Sequence, residues 1–276
     1  MPQFSPYKKR NSTGRKKSRA AYHPQADLVW GIHPVMEGLK TCPEAVREIV
    51  VVKDQSGHRV HQILEMARER SIPIREVSSS NTADFKIPDK LPEEERPQFI
   101  AARIKLPLLT LDELLHKLKN VSGPPLLLAL DSIQDPHNLG AIIRSAVAAG
   151  VNGIILPRDR SASITGTVIR ISAGAVYHID ICMVTNLVSS IKSLKKNGIW
   201  IFGTTKDGAR PIYDIDLTLP ACLVIGSEGK GMRPLVAKHS DLLITIPMQS
   251  SLDSLNASVA AGIILFEIVR QRRKLL

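Results

Sequence analysis

Three short polar segments, each following an apolar run, carry the residues in this chain that could do chemistry. The first is Asp135-Pro136-His137-Asn138-Leu139-Gly140-Ala141-Ile142-Ile143-Arg144, after the apolar residues 126–130. A buried strand, a polar turn and then a helix is where an α/β sheet places its working groups. Asn138 stands where a helix could be capped, and Arg144 lies about 1.7 turns farther along that helix. A planar cationic fork near a helix N-terminus points to an anionic partner such as phosphate. The second segment is Leu223-Val224-Ile225-Gly226-Ser227-Glu228-Gly229-Lys230-Gly231-Met232. Its glycines permit tight turning and close approach of the main chain to a ligand. Their spacing matches neither G-x-G-x-x-G nor the P-loop, so neither of those mechanisms follows. Glu228, set among glycines at a strand's carboxyl end, is a candidate working acid. The third segment runs from Ile244-Thr245-Ile246-Pro247-Met248 to Ser254-Leu255-Asn256-Ala257-Ser258-Val259-Ala260-Ala261-Gly262. Ser254 or Asn256 suits a helix N-cap, and the small residues after them suit close helix packing.

These segments need a scaffold. Strand candidates at 126–130, 153–156, 179–183, 200–203, 223–225 and 243–246 alternate with helical stretches, the last from about Asn256 to Arg273. Such alternation predicts a largely parallel sheet with helices on both faces over residues 124–276. Upstream, residues 29–39 read as a short helix entered through a Gly/Pro turn, and 49–52 and 74–77 as strands. Val60, Ile63, Leu64 and Ala67 form the apolar face of a helix stopped by Ser71-Ile72-Pro73. This predicts a small α/β domain over residues 28–105, with a surface loop at 89–96. A helical stretch bearing Leu111, Leu114, Leu115 and Leu118 falls in the expected linker at 106–123.

At 276 residues and 43% hydrophobic, the chain is long enough for two packed domains. No run of about 18 apolar residues occurs, so a membrane span is not expected. The start, Met1-Pro2-Gln3-Phe4-Ser5, has no apolar leader, so secretion is not indicated. Cys42, Cys182 and Cys222 are scattered and odd in number, which suits a reducing cytoplasm and makes neither a disulfide framework nor a zinc site. No metal is expected. Of the net charge of +11, seven positive charges fall within residues 1–20, at Lys8, Lys9, Arg10, Arg15, Lys16, Lys17 and Arg19, with no acid among them. Residues 1–27 are therefore expected to be a disordered basic tail. It reads as an arm on RNA phosphates in preference to a solubiliser, because the body of the chain is basic as well. Nothing beside it suggests a lipid anchor. His137 reads as a turn residue, His58 and His61 as a helix face, and His178 as a lone histidine. Tyr22, Trp30 and Phe99 could stack on bases, but with 4% aromatics packing is the preferred role.

Taken together and in this order, the three segments resemble the SpoU/TrmH family of RNA ribose 2′-O-methyltransferases, within the SPOUT superfamily. The resemblance covers about residues 124–276. It extends, less specifically, to Gly31-Ile32-His33-Pro34-Val35-Met36-Glu37 and the small N-terminal domain, an arrangement similar to the branch that methylates a guanosine in bacterial large-subunit ribosomal RNA. It implies a C-terminal α/β domain tied in a deep trefoil knot, a rare exception to unthreaded connections, and an N-terminal domain that selects the RNA. It implies a pocket for S-adenosylmethionine formed by the loops after Thr204, Gly226 and Ile246, with cofactor contacts at Thr204, Gly226, Ile246 and Leu255. The catalytic set it implies is Asn138, Arg144, Glu228, Ser254 and Asn256. It further implies a cytoplasmic homodimer, with the long C-terminal helix at the interface and sites completed across it.

That reaction suits these residue types. A ribose hydroxyl is a poor nucleophile and a sulfonium methyl is already activated, so the protein must align both and stabilise developing alkoxide charge. Arg144 would hold the neighbouring phosphate and the nucleophilic oxygen. A guanidinium is not deprotonated near neutral pH, so the role is orientation rather than general base. Asn138 would orient Arg144 or the ribose, Ser254 and Asn256 would supply hydrogen bonds, and Glu228 would orient Arg144 or balance charge. The sequence departs from the family pattern at Ser250, where glycine is common, and at Asn256-Ala257, which replaces Asn-Val. It departs also at Pro97-Gln98-Phe99 and at Tyr177, where a glutamate near the expected RNA face is usual. These departures bear on the target nucleotide rather than the reaction. The alternatives are the same chemistry on transfer RNA, an adenosine-directed resistance methyltransferase, and a non-catalytic RNA-binding knot protein. The small N-terminal domain argues against the first, and intact Asn138, Arg144, Glu228 and Asn256 argue against the last.

Overall fold

The computed structural model describes residues 27–53, 57–78, 100–206, 209–249 and 254–273. The basic arm up to residue 26, the expected loop at 89–96, Tyr22, Pro97, Gln98, Phe99 and Ser250 lie outside them.

Two sheets organise the chain. In the N-terminal part, β1 (Asp27–Trp30), α1 (Ile32–Thr41), β2 (Val46–Val52), α2 (His58–Glu69), β3 (Ile74–Val77) and β4 (Ile100–Ile104) build a four-stranded sheet in the order β1-β4-β2-β3. β2 and β3 are parallel, as a β-α-β unit requires, and β4 runs antiparallel to both β1 and β2. Residues 29–39 are not one helix. Gly31, at φ +108, ends β1 and opens α1, a backbone conformation that a side chain resists.

The remainder comprises α3 (Leu111–Leu118), β5 (Leu126–Asp131), α4 (Pro136–Ala148), β6 (Gly153–Pro157), α5 (Gly166–Ile171), β7 (Asp180–Val184), α6 (Leu187–Lys196), β8 (Trp200–Thr204), β9 (Arg210–Pro211), β10 (Ala221–Gly226), α7 (Pro234–His239), β11 (Leu242–Thr245) and α8 (Ala257–Arg273). Its seven strands pair in parallel in the order β7-β6-β5-β10-β8-β11-β9. β5 and β10 are buried at every residue, which is why they read as unbroken apolar runs. β10 is inserted between β5 and β8, and β11 between β8 and β9. The threaded connection that the resemblance implies needs later strands inserted between earlier ones, and two such insertions are present.

The helix at 111–118, in the expected linker, packs against the C-terminal sheet. A capping box starts it, Thr110 N donating to Glu113 Oε2 at 2.7 Å, and Leu114 is fully buried with a methyl 2.7 Å from where a Cβ on Gly153 would sit. Helix α4 is capped by Asp135, whose Oδ1 accepts from His137 N at 2.9 Å, with Pro136 in the first helical position. Asn138 consequently lies inside the first turn, and Arg144 lies in the second half of the helix rather than near its N-terminus.

The two sheets meet over a continuous apolar core that joins Val29, Val35 and Leu39 to Leu126, Leu130 and Val176. Tyr177 belongs to this seam: it is 8% exposed, and a Cβ on Gly38 would lie 3.0 Å from its ring. Its side chain is therefore packed in the interior rather than presented on an exposed face. Burial pushes the Tyr177 phenol well above its ordinary range, so it stays neutral. His178 pairs with Glu37 Oε1 at 2.7 Å, and the Arg170 guanidinium lies 5.3 Å from the centroid of the Trp30 ring, which gives Trp30 a packing role. The tightest point is Gly166, where a Cβ would come 2.1 Å from the Leu28 carbonyl oxygen. Gly166→Ala must push the two sheets apart at that point. We expect it to cost about 2 kcal/mol and to lower the thermal midpoint by about 5 °C in calorimetry; an unchanged midpoint would show that the seam yields freely.

Candidate active site

A crevice of about 480 Å³ opens at the carboxyl ends of β8, β10 and β11, the end of a parallel sheet where side chains and loops are free to bind ligands. Its volume falls in the range of small-molecule and cofactor pockets. Thr204, Gly226, Glu228, Ile246, Ser254 and Leu255 all line it, together with Met232, Ala260 and Ile264. Thr204 Oγ1 donates to the Val224 carbonyl at 3.0 Å, which ties β8 to β10 at the mouth.

The glycines of the second segment act in different ways. Gly229 and Gly231 hold φ of +73 and +63. They let Ser227 and Gly231 exchange main-chain hydrogen bonds of 3.1 and 2.9 Å in a tight turn. Gly226 serves close approach: a Cβ there would lie 2.2 Å from the Gly231 carbonyl carbon and from the Met232 nitrogen. The loop folds back over Gly226, and at that point the crevice wall is main chain.

That loop presents Glu228 to the two asparagines. Glu228 Oε1 accepts from Asn138 Nδ2 at 2.9 Å, from Asn256 Nδ2, and from Ala257 N at 3.4 Å. Asn256 Nδ2 also donates to Asn138 Oδ1 at 2.9 Å, closing a three-membered polar cluster. The orientation of the Asn256 amide follows from its second task. Its Oδ1 accepts from Ser258 N at 2.9 Å and Val259 N at 3.3 Å, capping α8, so only the NH₂ is left for Glu228 and Asn138. A carboxylate at this N-terminus is also favoured by the helix dipole. Glu228 thus engages the asparagines, and within this chain Arg144 is not its partner.

Arg144 stands apart. Six residues along α4 from Asn138, it is turned by about 120° around the helix axis. It is exposed, outside the crevice lining, and bonded to no described residue. Its neighbour Ser145 lies against α8, 3.8 Å from where a Cβ on Gly262 would be. Ser254 is exposed at the crevice rim.

One feature at the site escaped the sequence reading. Asp131, the last residue of β5, is fully buried and binds Arg233 through both oxygens, Arg233 N at 2.8 Å and Nε at 2.6 Å. An acid closing an otherwise apolar strand was the available signal; its partner, 102 residues away, had none.

Comparison with known proteins bears on this site. Residues 125–266 match the SpoU rRNA Methylase family, and residues 28–107 match the RNA 2′-O ribose methyltransferase substrate binding family. The chain belongs to the SpoU rRNA methylase family. Among its SpoU relatives, the 23S rRNA (guanosine-2′-O-)-methyltransferase RlmB of Shewanella oneidensis is 38% identical over 247 residues, covering 90% of this chain and 98% of that one. The RlmB of Photobacterium profundum is 41% identical over 250 residues, with the same coverage. The crystal structure of the SpoU methyltransferase AviRb from Streptomyces viridochromogenes, in complex with AdoMet, superposes with a TM-score of 0.73 at 27% identity, covering 90% of each chain. The SpoU fold expected from the three segments is the fold observed.

Proposed function

We propose that this protein transfers a methyl group from S-adenosylmethionine to the ribose 2′-hydroxyl of a guanosine in 23S ribosomal RNA. The observation that carries the reading is the Asn138–Glu228–Asn256 cluster, built against a main-chain-walled crevice in a chain of this family. The crevice fits the cofactor. Gly226 is bare where any side chain would collide, and Ile225, Ile244, Ile246, Leu255 and Ile264 offer apolar surface beside the polar Thr204 and Ser254. When bound there, S-adenosylmethionine supplies a methyl group made electrophilic by its sulfonium.

The chain's own groups then position the RNA. Glu228 keeps Asn138 and Asn256 in one orientation, and it leaves Oε2 without a bond from any described residue, open toward an incoming ligand. Arg144 holds the phosphate beside the target ribose and draws charge from the 2′-oxygen as its proton departs to water. Ser254 supplies a hydroxyl at the rim. Arg144 does so in the crevice of a second copy, because it faces away from its own. Val259 and Phe266 on α8 are 48% and 51% exposed and lie seven residues apart on one stripe, an apolar face that a partner α8 would cover. The deep knot, the cytoplasmic location and an RNA-contacting basic arm at residues 1–20 belong to the same reading.

Incubating the purified protein with S-adenosylmethionine and a mixture of 23S rRNA and transfer RNA, then mapping ribose methylation, tests it. The expected product is a single 2′-O-methylguanosine. Methylation of a base, methylation confined to transfer RNA, or none at all would overturn it.

A further inference from the structure

We propose that Asp131 and Arg233 are positioning residues that lock the Glu228 loop against the cofactor crevice. The inference rests on reading that crevice as the S-adenosylmethionine site. Asp131 and Gly226 are register partners where β5 and β10 end side by side. From Gly226 the chain leaves into the glycine loop and returns at Arg233, the residue that opens α7. There Asp131 takes hold of it twice, through the main-chain N–H and through Nε. The end of β5 and the first turn of α4 therefore grip one loop at two points: Asp131 holds its far end at Arg233, and Asn138 holds its tip at Glu228.

The grip is built to be specific. Asp131 has no exposed surface, and a buried carboxylate persists only where hydrogen-bonded cations or donors satisfy it. Ser132, the next residue, is a non-glycine at φ +68, a backbone conformation kept only where its surroundings enforce it. Its hydroxyl leans back on Asp131 Oδ1 at 3.4 Å. The main-chain N–H of Arg233 survives replacement by alanine or lysine, so removing the guanidinium releases half of the grip. The loop then loses its fixed register while β10 and α7 stay in place. The consequence falls on the two features that register sets, the Gly231–Met232 wall over Gly226 and the place of Glu228.

The experiment uses the full-length protein and four forms: wild type, Arg233→Ala, Arg233→Lys and, as control, Lys117→Ala. The control breaks an ion pair of 2.7 Å with Asp180 away from the crevice. Cofactor affinity is read by calorimetry, kcat and KM for RNA by methyl transfer, and folding by the thermal midpoint. Arg233→Ala should lower kcat about 100-fold, as loss of fixed geometry does, and weaken cofactor binding, with KM for RNA unchanged. Arg233→Lys should recover part of the loss, and Lys117→Ala should alter neither kcat nor cofactor affinity. A fall in thermal midpoint alone, with kcat and cofactor affinity intact, overturns the proposal. If Arg233→Ala does not fold, hydrogen exchange of the 227–231 amides in Arg233→Lys decides: faster exchange supports the lock and unchanged exchange refutes it. Failure of the wild type to bind S-adenosylmethionine would instead refute the crevice reading.

Discussion

Arg144→Ala should lower the single-turnover rate of methyl transfer about 10²–10³-fold, because in the proposed reaction it removes a cation that faces the charge developing on the ribose oxygen. Cofactor affinity should be unchanged, since Arg144 does not line the crevice of its own chain. The pair of measurements separates a role with RNA from a role in folding, and an exposed side chain bonded to no described residue leaves little to destabilise when it is cut back. Mixing subunits tests where it acts. When Arg144→Ala is combined with Glu228→Ala in one dimer, one crevice regains both an intact Glu228 and the other subunit's Arg144. Activity should return on mixing two inactive proteins. No recovery would place Arg144 in its own chain's site or outside catalysis altogether.

The second large effect is expected from a single methyl group. Gly226→Ala places a Cβ 2.2 Å from the main chain of Gly231 and Met232, which cannot withdraw as a flexible side chain would. The loop must lift, and with it the crevice wall. Calorimetry should show at least about a 100-fold loss of S-adenosylmethionine affinity, the scale of a displaced catalytic geometry. The close approach that Gly226 permits is to the protein's own backbone at Gly231 and Met232, so the obstruction falls on the protein rather than directly on the ligand. Affinity equal to wild type would remove this loop from the pocket.

Much of the architecture was legible because burial on both faces writes strands as apolar runs: β5, β6, β8, β10 and β11 all fall within a residue or two of the expected spans. The strands that were missed carry little such signal. β9 is only Arg210-Pro211, β4 places two alanines and an arginine between isoleucines, and β1 merges with the apolar pattern of α1 until Gly31 breaks it. The site residues could be named from motif order, yet their pairings could not. Asn138 and Glu228 are 90 positions apart, and Asn138 and Asn256 are 118 apart. Nothing local distinguishes an asparagine that caps a helix from one that also serves a carboxylate, and Asn256 does both. The cap of α4 was misplaced for a similar reason, since Asp135 and Asn138 are equally suitable by type.

The seam between the sheets, closed at Gly166 and filled by Tyr177, has a consequence for how a target is chosen. Two halves that share one interior cannot swivel to accommodate whatever RNA arrives. In the proposed reaction, the span between the N-terminal sheet and the cofactor crevice is then a built-in ruler. On that reading, a nucleotide one step out of place along the RNA is refused by distance, even where its base is chemically identical.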